Sequence, residues 1–373
     1  MSSDITLSSG IRQNLLSLQS TAANLTTTQE DLSTGKKVNT AFDNPTSYFQ
    51  SQSLNNRASD LSNLLDQIGQ AQQTLDAANN GLTSLTSLLQ QALSTAEQAQ
   101  SATNDTAGST TGTVDLSGNT LAAGNLLIAT GGTTYTVSIV ASAALSTIES
   151  DINSTAGLGS SGAVSATDDG SGHLILTGTT PNTTFTASGA EQTAFGLSSS
   201  AVSGTSSTRT TLQSNYNSLL TQIDQLAGDA SYNGVNLLNG NNLTVNFNET
   251  GTSKLTISGV TFNSTGLGLS QIAAGGFQSS TTITTAENDI NAAITTVRAQ
   301  TETFGTNSST IQTRQDFEQN MINTLQTGAS NLVLADQNQE SANLLTLQTQ
   351  QQLEISALSI ANQANQSVLK LFP

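Results

Sequence analysis

The sequence predicts a mainly α-helical fold. We expect a long coiled-coil rod made from both chain ends, with a β-hairpin and a small inserted α+β domain. Near both ends, apolar residues recur at steps of three and four, the spacing of a coiled-coil seam. The middle of the chain is instead rich in Gly, Ser and Thr and carries short alternating apolar runs, which indicate strands.

Residues 1–45 predict the N-terminal helix. Its seam ends at Gly35, because Gly commonly follows the last residue of a helix. Pro45 is expected in the irregular stretch that follows. The seam residues are Ile11, Leu15, Leu18, Leu25 and Leu32.

Residues 46–104 predict a second, longer helix whose apolar residues keep one register for more than forty residues. A continuous pattern of this length is typical of a rod. Polar residues occupy three positions of that register: Gln72, Asn79 and Thr86. The apolar residues are Leu54, Ala58, Leu61, Leu65, Ile68, Leu75, Leu82, Leu89, Leu93 and Ala96.

Residues 105–208 predict the inserted, surface-exposed α+β domain, with disorder as the alternative because the segment has many Thr and few charges. Alternating residues such as Tyr135, Val137 and Ile139 favour folded strands. The pair Asp169-Gly170 is a turn signal, and "LSTIESDIN" predicts a short helix between strands.

Residues 209–316 predict a rod helix, a β-hairpin and a returning rod helix. The first helix has its seam at Leu212, Tyr216, Leu219, Ile223 and Leu226. The hairpin strands carry Leu243, Val245 and Phe247, then Leu255 and Ile257. The returning helix, from about Thr282, has its seam at Ala286, Ile290, Ala293, Val297 and Phe304.

Residues 317–373 predict the C-terminal helices, with a loosening near Gly328. One stripe of the last helix contains Leu353, Ile360, Val368 and Leu371, whereas Leu358 points elsewhere. We expect the two termini to pair, and both apolar stripes to meet other copies of the chain.

The last thirty residues carry only two charges but eleven large apolar side chains. Ordering thirty residues costs roughly 30–60 kcal/mol of backbone entropy. Full burial of eleven such side chains returns only roughly 16–33 kcal/mol. A single partner helix cannot bury them all, so we expect this end to be weakly ordered until other copies cover it.

The composition excludes several classes of function. The formal net charge is −17, with only nine basic residues and none between Ala102 and Thr208, which argues against nucleic-acid binding. The sequence has no apolar run long enough to span a membrane and no N-terminal pattern of a cleaved signal peptide. With no Cys, there is no disulfide or thiol chemistry.

No residue group predicts catalysis, a metal site or a cofactor. His173 stands alone beside Asp168 and Asp169, whereas a metal site needs three or four converging ligands. No serine has a candidate base and orienting acid, so we predict no enzymatic activity. Lys36 and Lys37 are interpreted as a solvated helix end, with a subunit contact as the alternative.

Three stretches, in order along the chain, resemble the bacterial flagellins. "LSTGKKVNTAFDNPTSY" (Leu32–Tyr48) resembles the family's LSSG-(K/R)-(I/V)-N-(S/T)-A-x-D-D pattern. "SYNGVNLLNG" (Ser231–Gly240) resembles its F-N-G-x-x-L-L turn. "SALSIANQANQSVLKLF" (Ser356–Phe372) resembles its V-L-A-Q-A-N-Q…V-L-S-L-L ending.

The resemblance implies an extracellular homopolymer, the flagellar filament. It implies export of the unfolded subunit through the flagellar type III channel, with an export chaperone, a filament cap and hook-associated proteins as partners. It also implies that both terminal helices form an inner tube, which includes the seam residues given above. The alternatives are a hook–filament junction protein, or a filament protein whose insert binds a surface carbohydrate.

Overall fold

The computed structural model describes residues 9–118, 121–159 and 162–369. Its helices are α1 (Ser9–Thr34), α2 (Pro45–Ser101), α3 (Leu145–Ser154), α4 (Ala190–Ala194), α5 (Ser207–Asp229), α6 (Ser280–Val333) and α7 (Gln337–Leu369). Its strands are β1 (Ser109–Thr111), β2 (Gly124–Thr130), β3 (Thr133–Ile139), β4 (Val164–Asp168), β5 (Leu174–Gly178), β6 (Phe185–Ser188), β7 (Leu243–Asn246) and β8 (Lys254–Ile257). Terminal long helices with small sheets between them confirm the predicted fold class.

The described chain divides into two compact units. The first contains residues 9–72, 244–256 and 309–369, and the second contains residues 73–243 and 257–308. None of the helices in the described residues is both long enough and apolar enough to cross a membrane.

The start of the first unit follows ordinary helix-end chemistry. Gly35 follows α1 with a φ of 70°, a left-handed conformation that glycine adopts without strain. The prediction that Pro45 lies in an irregular stretch is wrong, because α2 begins at this residue. Proline suits the first helical position, where no backbone N–H is needed.

The buried seam of α2 differs in part from the predicted register. Two rows of a seven-residue repeat are buried: Leu61, Ile68, Leu75, Leu82, Leu89 and Ala96, and Leu64, Ala71, Ala78, Leu85, Ala92 and Ala99. The first row was predicted. The predicted second row, with Gln72, Asn79 and Thr86, instead lies half-buried along the flank of the seam.

Two other helices also differ from expectation in detail. In α5, Tyr216 and Ile223 are buried as predicted, but Gln213, Leu220 and Ala227 replace the predicted leucines one residue earlier. The seam predicted for the returning helix is buried in α6. The predicted loosening near Gly328 is wrong, because α6 runs unbroken through it.

The second unit contains two three-stranded antiparallel sheets, with strand orders β1-β5-β4 and β3-β2-β6. Gly131 and Gly132 join β2 to β3 with φ values of 55° and 79°. Two consecutive positive φ values suit the tight turn of a two-residue hairpin. The helix predicted from "LSTIESDIN" forms as α3.

These sheets and α3 enclose a hydrophobic core of their own. Its fully buried members come from every layer and include Leu126, Ile128, Ile148, Ile152, Val164, Leu174, Leu176 and Phe195. Disorder, the alternative raised by the composition, is therefore not the structure of this segment.

The two connections of this segment lie side by side. Thr106 and Thr205 form an antiparallel bridge, and the Asp105 N–H donates to the Thr205 carbonyl at 2.9 Å. The Asp105 carboxylate accepts from the Ser207 N–H, and Arg209 Nε donates to the Ala99 carbonyl at the end of α2. The chain thus enters and leaves the segment at one point.

Candidate assembly interface

The terminal helices α1 and α7 pack against each other in antiparallel orientation. Ser17 lies opposite Glu354, and an isolated β-bridge joins Lys36 to Leu334 beyond the other end of α1. Along α1, burial or half-burial recurs every three or four residues at Ile11, Asn14, Leu18, Thr21, Leu25, Thr28 and Leu32. This row is the face that α1 turns to α7.

A carboxylate lies inside this helix pair. Glu354 Oε1 accepts hydrogen bonds from Ser17 Oγ at 2.7 Å, Thr21 Oγ1 at 3.0 Å and Gln350 Nε2 at 3.1 Å. These bonds, that of Ser17 foremost, lower the pKa of Glu354. The other oxygen, Oε2, is shielded from solvent and has no hydrogen-bond partner among the described residues. The hydroxyls therefore fix the register of the two helices at this carboxylate.

The face of α7 next to α1 is not the predicted stripe. Half-burial recurs at Leu344, Leu347, Gln351, Glu354, Leu358 and Ala361. Leu358, predicted to point elsewhere, therefore lies on this face. The pairing is also loose: a cavity of about 360 Å³ separates the helices, lined by Asn24, Thr27, Thr28, Asn343, Thr346 and Leu347.

The helix pair leaves a second, apolar set of side chains in solvent. We call these residues the outer apolar set. Their exposed fractions range from 39% to 67%, and the members are Leu15, Leu16, Leu345, Leu353, Ile355 and Ile360. Isolated exposed apolar residues are ordinary, but six on one pair of helices with few charges indicate a surface for another protein.

The predicted seam residues divide between these two surfaces. Ile11, Leu18, Leu25 and Leu32 lie on the face of α1 that contacts α7 within the chain. Leu15, Leu353 and Ile360 belong to the outer apolar set. Of the remaining two, Val368 lies in α7 but its side chain is outside the described part, and Leu371 lies outside the described residues.

Sequence reasoning did not identify Ser17, Thr21 or Glu354 as contact residues. One signal was available: Thr21 and Thr28 are seven residues apart and in register with Ile11, Leu18, Leu25 and Leu32. A small hydroxyl-bearing residue on a seam can pair with a polar residue of the facing helix. The order of the termini before assembly stays a prediction.

The single histidine lies in a turn. His173 Nδ1 is 2.7 Å from Asp169 Oδ2, and the His173 and Ser171 N–H groups donate to Asp169 Oδ1. These backbone hydrogen bonds lower the pKa of Asp169 to about 2. Among the described residues, no group of three or more acidic or histidine side chains could hold a metal ion.

The aromatic residues of the inserted segment contribute to its core. Phe185 and Phe195 are buried, and Tyr135 is half-buried near Gly157. None of these rings presents an open face on which a sugar could stack.

Comparison with known proteins identifies the family. The sequence profile of the bacterial flagellin N-terminal helical region matches residues 9–126. The profile of the bacterial flagellin C-terminal helical region matches residues 288–372. Together the two matches cover just over half of the chain.

Individual flagellins are similar over the same regions. Flagellin FljM of Caulobacter vibrioides is 37% identical over 163 residues, which are 43% of this chain and 59% of that protein. A flagellin of Brucella melitensis is 33% identical over 172 residues, 43% of this chain and 61% of the relative. Flagellin A of Rhizobium meliloti is 43% identical over 83 residues, 22% of this chain and 21% of the relative. The chain thus spans about three fifths of the first two relatives. On the profile matches at both ends and these relatives, the chain belongs to the bacterial flagellin family.

Proposed function

We propose that the chain is the structural subunit of a bacterial flagellar filament, which copies of it build for swimming motility. The outer apolar set on α1 and α7 carries this proposal. Its six members lie at the two chain ends, the regions that match the flagellin profiles. A surface of this kind needs a partner, and another copy of the same chain is the partner that a filament supplies.

The energetics favour assembly through these helices. Full burial of a large apolar side chain is worth about 1.5–3 kcal/mol. Six side chains that are 39–67% exposed would therefore contribute roughly 5–10 kcal/mol per subunit when neighbouring copies cover them. A lattice gains this contribution at every subunit, whereas an isolated chain keeps these residues in water.

The proposed contacts between copies differ from those within the chain. Leu15, Leu353 and Ile360 would contact neighbouring copies in an inner tube, together with Val368 and Leu371. Ile11, Leu18, Leu25 and Leu32 would hold α1 on α7 inside each subunit. In this division, residues 1–45 and 317–373 form the tube, 46–104 and 209–316 form the rod, and 105–208 form a surface-exposed domain.

The proposed location is the extracellular filament, and the role is structural, not catalytic. Export of the unfolded chain through the flagellar type III channel would precede assembly. An export chaperone, a filament cap and hook-associated proteins would be the other partners.

Seeded polymerisation tests the function directly. Purified monomer is added to short filament fragments and the products are measured by electron microscopy. We expect filaments that lengthen with time and with monomer concentration. Growth that stops after one short ring would instead identify a junction protein, and the absence of any growth would reject the proposal.

A further inference from the structure

A rigid loop after α1 presents an unusual set of side chains. We call residues 35–44 the Phe42 loop. The Asp43 carboxylate accepts hydrogen bonds from the Asn39 and Thr40 N–H groups at 2.9 and 2.7 Å. The Lys37 N–H donates to the Val333 carbonyl at 2.8 Å and ties the loop to the end of α6. The loop is therefore held in one conformation before any partner binds.

This loop exposes one aromatic ring and two cations. Phe42 is 97% exposed, the largest exposed fraction of the large apolar residues described. Lys36 and Lys37 are also exposed, and neither makes an ion pair within the described residues. Aromatic residues on preorganised surfaces are typical binding anchors, because little entropy is lost when they dock.

A groove elsewhere in the same unit has the complementary chemistry. We call it the hairpin groove. It lies between α2, the β7–β8 turn and α6 and has a volume of about 230 Å³. Its lining includes the apolar residues Leu61, Phe247, Phe317 and Met321 and the acidic residues Glu249 and Glu318. A cavity of about 150 Å³ is large enough for benzene, so the groove has room for a phenyl ring.

The charges of the groove are only partly balanced. Arg57 pairs with Glu249 at 3.0 Å, and the Arg314 guanidinium lies 5.3 Å from the centre of the Phe247 ring. Glu318 is only 3% exposed and has no ion pair within 4 Å among the described residues. Burial, together with Glu249, raises its pKa. Asp60 adds another carboxylate in the adjoining cavity beside Glu249. The groove therefore favours an incoming cation.

We propose that the Phe42 loop of one copy docks in the hairpin groove of a second copy. Phe42 would contact the apolar wall, and Lys36 and Lys37 would lie near Asp60 and Glu318. Loop and groove are different patches of the chain, so the contact is head-to-tail, and contacts of that type generate open helical filaments. This inference rests on the proposed filament function.

Cysteine crosslinking tests the contact, because the chain has no cysteine of its own. Phe42→Cys and Met321→Cys variants are mixed, polymerised on wild-type seeds and oxidised. We expect a crosslinked dimer from this mixture. A mixture of Phe42→Cys with Gln319→Cys is the control, since Gln319 is exposed on α6 and outside the groove lining, and it should give none. Filaments without the first crosslink would overturn the proposal while leaving the filament function intact.

A second measurement covers the case in which the cysteine variants assemble poorly. Phe42→Ala should raise the critical concentration about thirtyfold or more, as expected for an anchor residue. Phe49→Ala, at another exposed aromatic residue, is the control and should change it less than threefold. An unchanged critical concentration for Phe42→Ala would reject docking of this loop. Failure of the wild-type chain to polymerise would instead reject the filament function.

Discussion

Substitution of Ile360 by Asp should abolish assembly without affecting the isolated chain. Ile360 is 67% exposed on α7 and lies away from the face that contacts α1. A carboxylate in water at this position meets no desolvation cost. We therefore expect the monomer to keep its helix content and its melting temperature.

The filament should respond very differently. Covering the exposed part of Ile360 is worth about 1–2 kcal/mol, and Asp loses that contribution. An unpaired carboxylate removed from water costs several kcal/mol more, and the chain has only nine basic residues to pair with it. A combined loss of about 4 kcal/mol per subunit corresponds to an increase of more than about a hundredfold in the critical concentration.

The critical concentration is measured by sedimenting seeded reactions over a range of monomer concentrations. Asn362→Asp is the matched control, because it adds the same charge at an exposed position two residues along α7. We expect the control to stay within about threefold of wild type, since an exposed charge costs little. Near-normal growth of the Ile360→Asp chain would refute the assignment of this residue to a subunit contact.

Three other predictions concern the rest of the chain. The Asp169 carboxyl should titrate near pH 2 by NMR; its stabilising contribution is therefore present above its ordinary pKa of 3.8 and is lost as the pH falls towards 2, and a midpoint near 3.8 would contradict the turn geometry. Joining Gln100 to Arg209 through a short Gly/Ser linker should give thinner filaments in electron micrographs, because the two connections lie side by side; a helical monomer that cannot polymerise would contradict this. Leu82→Ala, at a fully buried seam residue, should lower the free energy of unfolding by about 2–5 kcal/mol in denaturant titrations, whereas Thr83→Ala, at an exposed residue, should change it by less than about 0.5.

The helices and their order could be predicted because the apolar repeat extends over many turns. The choice of the second buried row could not always be read from the pattern, since rows at i+3 and i+4 lie side by side on a helix. In α2 the correct row was available: Ala71 and Ala78 are apolar where the predicted row has Gln72 and Asn79. Preferring the row without polar residues would have found it.

In α5 the pattern itself was misleading. The predicted row contains leucines, but the structure buries Gln213 in their place. Gln213 Oε1 accepts from the Phe277 N–H at 3.2 Å, and Gln213 Nε2 donates to the Ile272 carbonyl at 3.4 Å. A loop distant in sequence thus satisfies this buried amide, and no local pattern encodes that contact.

The candidate interface was predictable in kind but not in detail. The scarcity of charge near the C-terminus indicated a surface made for other proteins. The stripe next to α1 was missed because it contains Glu354, whose burial depends on hydroxyls of Ser17 and Thr21 more than three hundred residues away. The outer apolar set is what remains once that pairing is known.

A structure of the assembled filament by electron cryomicroscopy tests the central claim most directly. Filaments grown from the purified chain should have α1 and α7 of neighbouring copies in contact around an inner tube. Leu15, Leu353 and Ile360 should be buried between copies there. A filament in which these three side chains face solvent, with the copies joined elsewhere, would contradict assembly through the terminal helices.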